Sequence, residues 1–328
     1  MTTSTRPAAL SWILPSAAIL AIFAGLYFLF PYASGYGAQM VSLYTMFYAL
    51  STDYGSWGHC LLVFPIAAAL IYWKAGDLAK IPVHGSNWGL LWIAFSMFLY
   101  WVGYKTSVHY FGFISVQIFV AGAILFFLGW EFFKAVLFPW AFLAFAWPFI
   151  FLDAEIAFPL RLRMSEACYY FLNLIGVPTM LNGTALLSAP DYVRNLVAGQ
   201  RFQVDIADPC SGIRSLFALT MITSLYGYLT LPKTWQKFAL LAMAFPLAIA
   251  GNFVRILILT FGTLSFGAPF AIGTLDEPTW FHTGAGYFVY VIALGGMALL
   301  GSLLAKEWGK KKESPAPATP VSTEGGTV

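Results

Sequence analysis

Three side chains in the C-terminal part of the chain have the types and spacing for covalent chemistry. Cys210 opens the stretch "CSGIRSL" (210–216), Arg255 closes "NFVR" (252–255), and His282 stands in "FHTGAG" (281–286). A thiol attacks only as its thiolate, and with an ordinary pKa of about 8.5 it needs a neighbouring imidazole or guanidinium to form one. The imidazole can then protonate a leaving amine and deprotonate the incoming nucleophile. A guanidinium can hold the developing oxyanion or orient the substrate, most strongly where water is excluded. The set therefore suits acyl transfer through a thioester. Arg214 lies four residues after Cys210, on the same helical face and one turn deeper; Asn252 shares a face with Arg255. Ser211 and Gly212 make a small-residue turn after the thiol. These four are the expected supporting residues.

Each of the three also has a plain structural reading. A cysteine in a span is commonly a small apolar filler, and a histidine at a span's end can bond lipid headgroups. Arg214 can be neutralised by Asp205 or Asp208. Arg255 is harder to explain away, because an arginine within a span costs at least ~2.5–3.5 kcal/mol on insertion scales.

The elements that must position these residues are membrane helices. The 328 residues are 60% hydrophobic and only 9% charged, against roughly a quarter charged in soluble domains. Apolar runs long enough to cross ~30 Å of hydrocarbon predict about eight spans, near 10–32, 59–74, 87–104, 108–130, 132–152, 210–231, 237–263 and 280–304. The stretch 38–50 reads as an interfacial helix. The first run is expected to remain as an uncleaved span, with 33–35 the alternative signal-cleavage region. Lys and Arg flank the apolar runs, which gives no basis for a nucleic-acid partner. Arg6, Lys74, Lys80, Lys134, Lys233, Lys237, Lys306 and Lys310 to Lys312 fall on one side, predicting both termini in the cytoplasm. That topology puts Cys210, Arg255 and His282 at similar depth near the outer face. The expected architecture is an all-α polytopic membrane domain over 1–304, with a disordered cytoplasmic tail over 305–328.

Residues 153–209 form the one sizeable extracytoplasmic segment. Its 155–176 portion is amphipathic, with Arg161, Arg163 and Glu166 among aromatic and aliphatic residues, as in helices that lie in the interface plane. Further on, Phe202, Val204 and Ile206 alternate with Gln203, Asp205 and Ala207, predicting a strand of a small hairpin that delivers the chain to Cys210. Arg161, Arg163, Arg194 and Arg201 are candidates to bind an acidic substrate residue; solvated surface charge is the alternative. Cys60 and Cys168 are read as two inert thiols or as a disulfide. His59, His84 and His109 show no ligand spacing, so neither a metal nor a cofactor is expected.

The three motifs, in this order and spacing, resemble the exosortase/archaeosortase group of membrane transpeptidases. "FPWAFLAFAWPFIF" (138–151) and "GVP" (176–178) are similar to it too, and the likeness extends over about 50–304. The chain departs from the family pattern in its Gly58-His59 order and in the Asp208-Pro209 pair before the cysteine. The resemblance implies Cys210 as nucleophile, Arg255 as catalytic arginine and His282 as general acid/base. It implies as partners exported proteins with a C-terminal Pro-Glu-Pro-like motif, a transmembrane helix and a basic tail, together with membrane lipids. An acceptor nucleophile, lipid- or polysaccharide-linked, would take the acyl group at the outer face of the inner membrane. The competing readings are a transporter in which Arg214 and Arg255 bind an anionic substrate, and a membrane glycan-assembly factor that relies on carboxylates.

Overall fold

The computed structural model describes residues 8–34, 39–52, 57–149, 151–152, 155–156, 158–205, 213–273, 277 and 279–312, with 8–15, 213–215 and 307–312 in backbone only. Most of this is helix. The described helices His109–Phe127, Thr234–Phe266 and Trp280–Lys306 are long and apolar enough to cross a membrane. Shorter apolar helices cover Ser16–Leu29, Cys60–Trp73, Leu137–Ala146 and Leu216–Thr230. The chain is thus a polytopic helical membrane protein in two compact units, Met1–Pro159 and Leu160–Val328.

The first unit begins with α1 (Ala8–Ala24), which runs into a π-helical turn at Gly25–Leu29, and a two-residue strand pair, β1 (Ala33–Ser34) with β2 (Met40–Val41). Then come α2 (Leu43–Thr52), where an interfacial helix was expected, α3 (Cys60–Trp73), α4 (Ala75–Leu78), α5 (Trp88–Thr106) and α6 (His109–Phe127). Helices α5 and α6 pack with their backbones nearly touching. A Cβ at Gly122 would lie 2.9 Å from the Ile93 nitrogen, so only glycine fits this crossing.

The expected continuous span 132–152 is instead three short pieces: α7 (Trp130–Ala135), α8 (Leu137–Phe142) and a 3-10 turn at Leu143–Ala146. Pro139 and Pro148 each remove a backbone donor, and breaks of this kind leave carbonyls without intrahelical partners. In hydrocarbon such groups must be satisfied by the protein itself. Gln117 of α6 supplies part of this. Its amide nitrogen donates to the Trp140 carbonyl, and its own carbonyls accept the indole N–H groups of Trp140 and Trp147, the latter on Oε1 at 2.8 Å. Lys74 donates to the Ala135 carbonyl at 3.1 Å.

The second unit is built on α9 (Phe158–Leu174), the expected amphipathic helix. Strands β3 (Thr179–Asn182), β4 (Ala185–Ser188) and β5 (Gln203–Asp205) follow, then α10 (Ile213–Thr230), α11 (Thr234–Phe266), α12 (Ala268–Ala271) and α13 (Trp280–Lys312). The predicted hairpin is a three-stranded antiparallel sheet in the order β3-β4-β5. Phe202 and Val204 are buried while Gln203 and Asp205 are exposed, the alternation read from sequence; Ile206 and Ala207 lie outside the described residues. Those buried positions join Met164, Cys168 and Leu172 of α9 and Ile256 and Leu259 of α11 in one core. Helix α13 continues through Lys312, into the segment expected to be a disordered tail; 313–328 lie outside the described residues. The 33 residues of α11 measure about 50 Å at 1.5 Å per residue, well beyond the ~30 Å hydrocarbon core.

Gln117→Leu keeps the side-chain volume and removes every hydrogen bond that the amide makes. It should destabilise the first unit by about 1–3 kcal/mol for each buried group left unpaired, seen as a lower melting temperature in detergent.

Candidate active site

Helix α11 presents Gly251, Arg255 and Gly262 at intervals of four and seven, which is one helical face. The two glycines set how close α13 can come. A Cβ at Gly251 would meet Val289 Cγ1 at 2.8 Å, and one at Gly262 would meet the Phe281 ring at 2.5 Å. The close approach brings Arg255 against the first turn of α13, where Nη2 lies 3.1 Å from His282 Nε2. Gly286, one turn after His282, lies against the guanidinium, where a Cβ would be in ordinary contact at 3.6 Å from Nη2.

The direction of this bond follows from chemistry. An arginine keeps its protons, so it donates and Nε2 accepts, which puts the proton of the neutral ring on Nδ1. The ring also engages the backbone of Ile272. Its own helix is capped by Thr279, whose Oγ1 accepts the His282 backbone N–H at 3.1 Å. The backbone N–H of Thr279 reaches the Ile272 carbonyl at 3.4 Å. The turn after α12 is held by Gly273, at φ +80°, where a Cβ would meet the Glu277 carbonyl at 2.6 Å. A side chain there would be strained in conformation and blocked in space.

Asn252, one turn before Arg255, is 5% exposed. Its Oδ1 is buried and has no hydrogen-bond partner among the described residues. It faces a small cleft lined also by Leu160, Met164, Leu216, Ala248 and Ile249. Leu216 belongs to the first turn of α10, so the start of α10 lies beside the Asn252 face of α11. A buried amide oxygen without a donor costs about 1–3 kcal/mol, and an arriving N–H would recover that.

Of the sequence-derived set, the structure brings Arg255 and His282 together, with Asn252 one turn before Arg255 on α11. Cys210, Ser211 and Gly212 lie outside the described residues, as does Asp208; Arg214 is described in backbone only, within α10. Asp205 accepts a hydrogen bond from Thr184.

The four surface candidates separate. Arg161 is buried at 7% exposure, so solvated charge does not describe it. Arg163 pairs with Glu166 at 3.1 Å, Arg194 lies 3.7 Å from Asp191, and Arg201 is exposed. Cys60 and Cys168 are both free and fully buried, so the disulfide reading falls and the inert-thiol reading stands. Burial pushes the Cys168 thiol up to about 12. Sequence reasoning missed Thr279, Gly273 and Gly262. The first had a signal, a threonine three residues before the histidine in N-cap position; the glycines matter only through contacts across the fold.

The chain matches a known family. The model described as Transmembrane exosortase (Exosortase_EpsH) aligns with residues 53–299, most of the chain and all of this site. No curated protein and no solved structure matches.

Two substitutions test the framework of the site. Thr279→Val removes the cap and should cost about 1 kcal/mol, while Thr279→Ser retains it; thermal unfolding of both variants in detergent reads the difference. Gly262→Ala overfills the seam between α11 and α13 and should cost about 1–3 kcal/mol in the same assay.

Proposed function

The chain belongs to the transmembrane exosortase family, and from that premise we propose that it is a cysteine transpeptidase that processes C-terminal sorting signals of exported proteins. The observation that carries this reading is the Arg255–His282 contact at 3.1 Å, with the start of α10 beside the same face of α11. The distribution of flanking lysines supports a site on the periplasmic or outer side of the inner membrane.

In the resting site Arg255 engages the Nε2 lone pair. A substrate carbonyl that draws the guanidinium to itself frees this nitrogen to take the proton of the Cys210 thiol. The thiolate then attacks the carbonyl carbon of the scissile peptide, and Arg255 holds the oxyanion. His282 returns the proton to the leaving amine as the C–N bond breaks, leaving a thioester on Cys210. An acceptor nucleophile, lipid- or polysaccharide-linked, loses its proton to His282 and attacks the thioester, which expels the thiolate. Asn252 Oδ1 is placed to accept an N–H of the substrate backbone near the cleaved bond. Arg214, Ser211 and Gly212 shape the entry of the nucleophile. Arg163, Arg194 and Arg201 are the candidates for meeting an acidic residue of the sorting motif. The mechanism needs no cofactor.

The test is an acyl adduct on Cys210, detected by mass spectrometry in cells that express a substrate. It should form in the natural chain and vanish in Cys210→Ala; normal processing by that variant would end the proposal. His282→Ala should slow turnover by about 10²–10⁴-fold with folding intact. Native-state alkylation near neutral pH should label Cys210, while Cys60 and Cys168 stay unmodified because both are fully buried.

A further inference from the structure

Residues 189–201 connect β4 to β5 as a loop that is hydrogen-bonded to itself throughout. Asp191 and Leu196 exchange both backbone bonds at 2.9 Å. The Asp191 carboxylate accepts the N–H groups of Val193 and Arg194, and Gln200 Oε1 accepts that of Val197. Gly199 and Arg201 donate their backbone N–H groups to Ser188. Asn195 takes a left-handed φ of 54°. A segment fixed this firmly nevertheless holds three apolar side chains outward: Tyr192 is 86% exposed, Val193 96% and Val197 68%.

The register shows where this tip lies. Thr179 pairs with Ser188, and the Ala189 N–H bonds to the Pro178 carbonyl, so the loop leaves the sheet at the end where α9 runs into β3. Leu174, 83% exposed, and Ile175 lie at that same end. The opposite end of the sheet carries Asn182, Gly183, Thr184 and Asp205, all polar or small. The sheet is therefore apolar at one end and polar at the other.

The depth of the apolar end follows from α9. Leu160 and Met164 share a cleft with Ala248, Ile249 and Asn252, and the Phe171 ring stands 5.5 Å from that of Phe253. These α11 residues belong to a helix long and apolar enough to cross the membrane. Helix α9 thus packs along a membrane helix, which brings the apolar end of the sheet within reach of the leaflet. Two cations rim the tip, Arg194 and Arg201, both exposed. Apolar and tyrosine side chains within a basic rim match the boundary between acyl chains and phosphates.

We propose that the 190–198 loop, with Leu174 and Ile175, is a foot set into the phospholipid leaflet at the Arg255 end of α11. It gives the sheet a second attachment besides its packing on α11. This inference stands whether or not Cys210 is a nucleophile.

The full chain carrying Cys210→Ala, whose other two cysteines are buried, takes a single added cysteine by Val193→Cys, Val197→Cys or, as the control at the polar end, Asn182→Cys. Each is labelled with an environment-sensitive nitrobenzoxadiazole dye and placed in nanodiscs of phosphatidylcholine and phosphatidylglycerol, with and without nitroxide-labelled lipid. The dye at 193 and at 197 should emit to the blue of the control and lose most of its intensity to the nitroxide, while the dye at 182 behaves as in water. Water-like, unquenched emission at both 193 and 197 would overturn the proposal. So would a shift that appears only when a sorting-signal peptide is added, because the surface would then belong to a protein partner.

Discussion

A guanidinium in a membrane helix has to be answered by another polar group of the protein, and here the answer is an imidazole. That requirement organises the second unit. Arg255 sits on a largely apolar helix, and α13 comes close enough to offer the cation His282 at 3.1 Å. The glycines of α11 exist for that approach, since any side chain at 251 or 262 would push α13 away. Thr279 and the Gly273 turn then fix the first turn of α13, so the histidine meets the arginine in one orientation. Electrostatic necessity and catalytic geometry are served by the same contact.

The membrane character of the chain and its long helices were legible in the sequence, because hydropathy reports burial in lipid directly. So was the pairing of Arg255 with His282. Both lie near the ends of adjoining spans that run in opposite directions, and topology alone brings such ends to one level. The amphipathic helix and the alternating strand were legible for similar reasons: period 3.6 over 158–174 and period 2 over 202–205. The extended character of "VPTMLNGTALL" (177–187) was legible too, but not that it turns back at Gly183 into two strands, because the stretch is apolar without a clean period. Arg161 also misled, since its burial depends on how α9 lies in its unit and not on the helix's own pattern.

The broken helix over 130–146 shows the limit of hydropathy more sharply. Composition there is uniformly apolar, and a window average sees one span. Prolines at 139 and 148 break it, and polar groups on other helices, the Gln117 amide and the Lys74 ammonium, meet the carbonyls of Trp140 and Ala135. Pairwise information of that kind is absent from any single segment.

That dependence reaches back into how the chain enters the bilayer. Released into lipid alone, this segment would lose the amide that Gln117 offers the Trp140 carbonyl and the acceptors that Gln117 offers both indoles. Residues 130–149 therefore gain these bonds only beside α6, itself packed closely on α5 at Gly122. Insertion of this stretch is in this way coupled to a helix that precedes it in the chain.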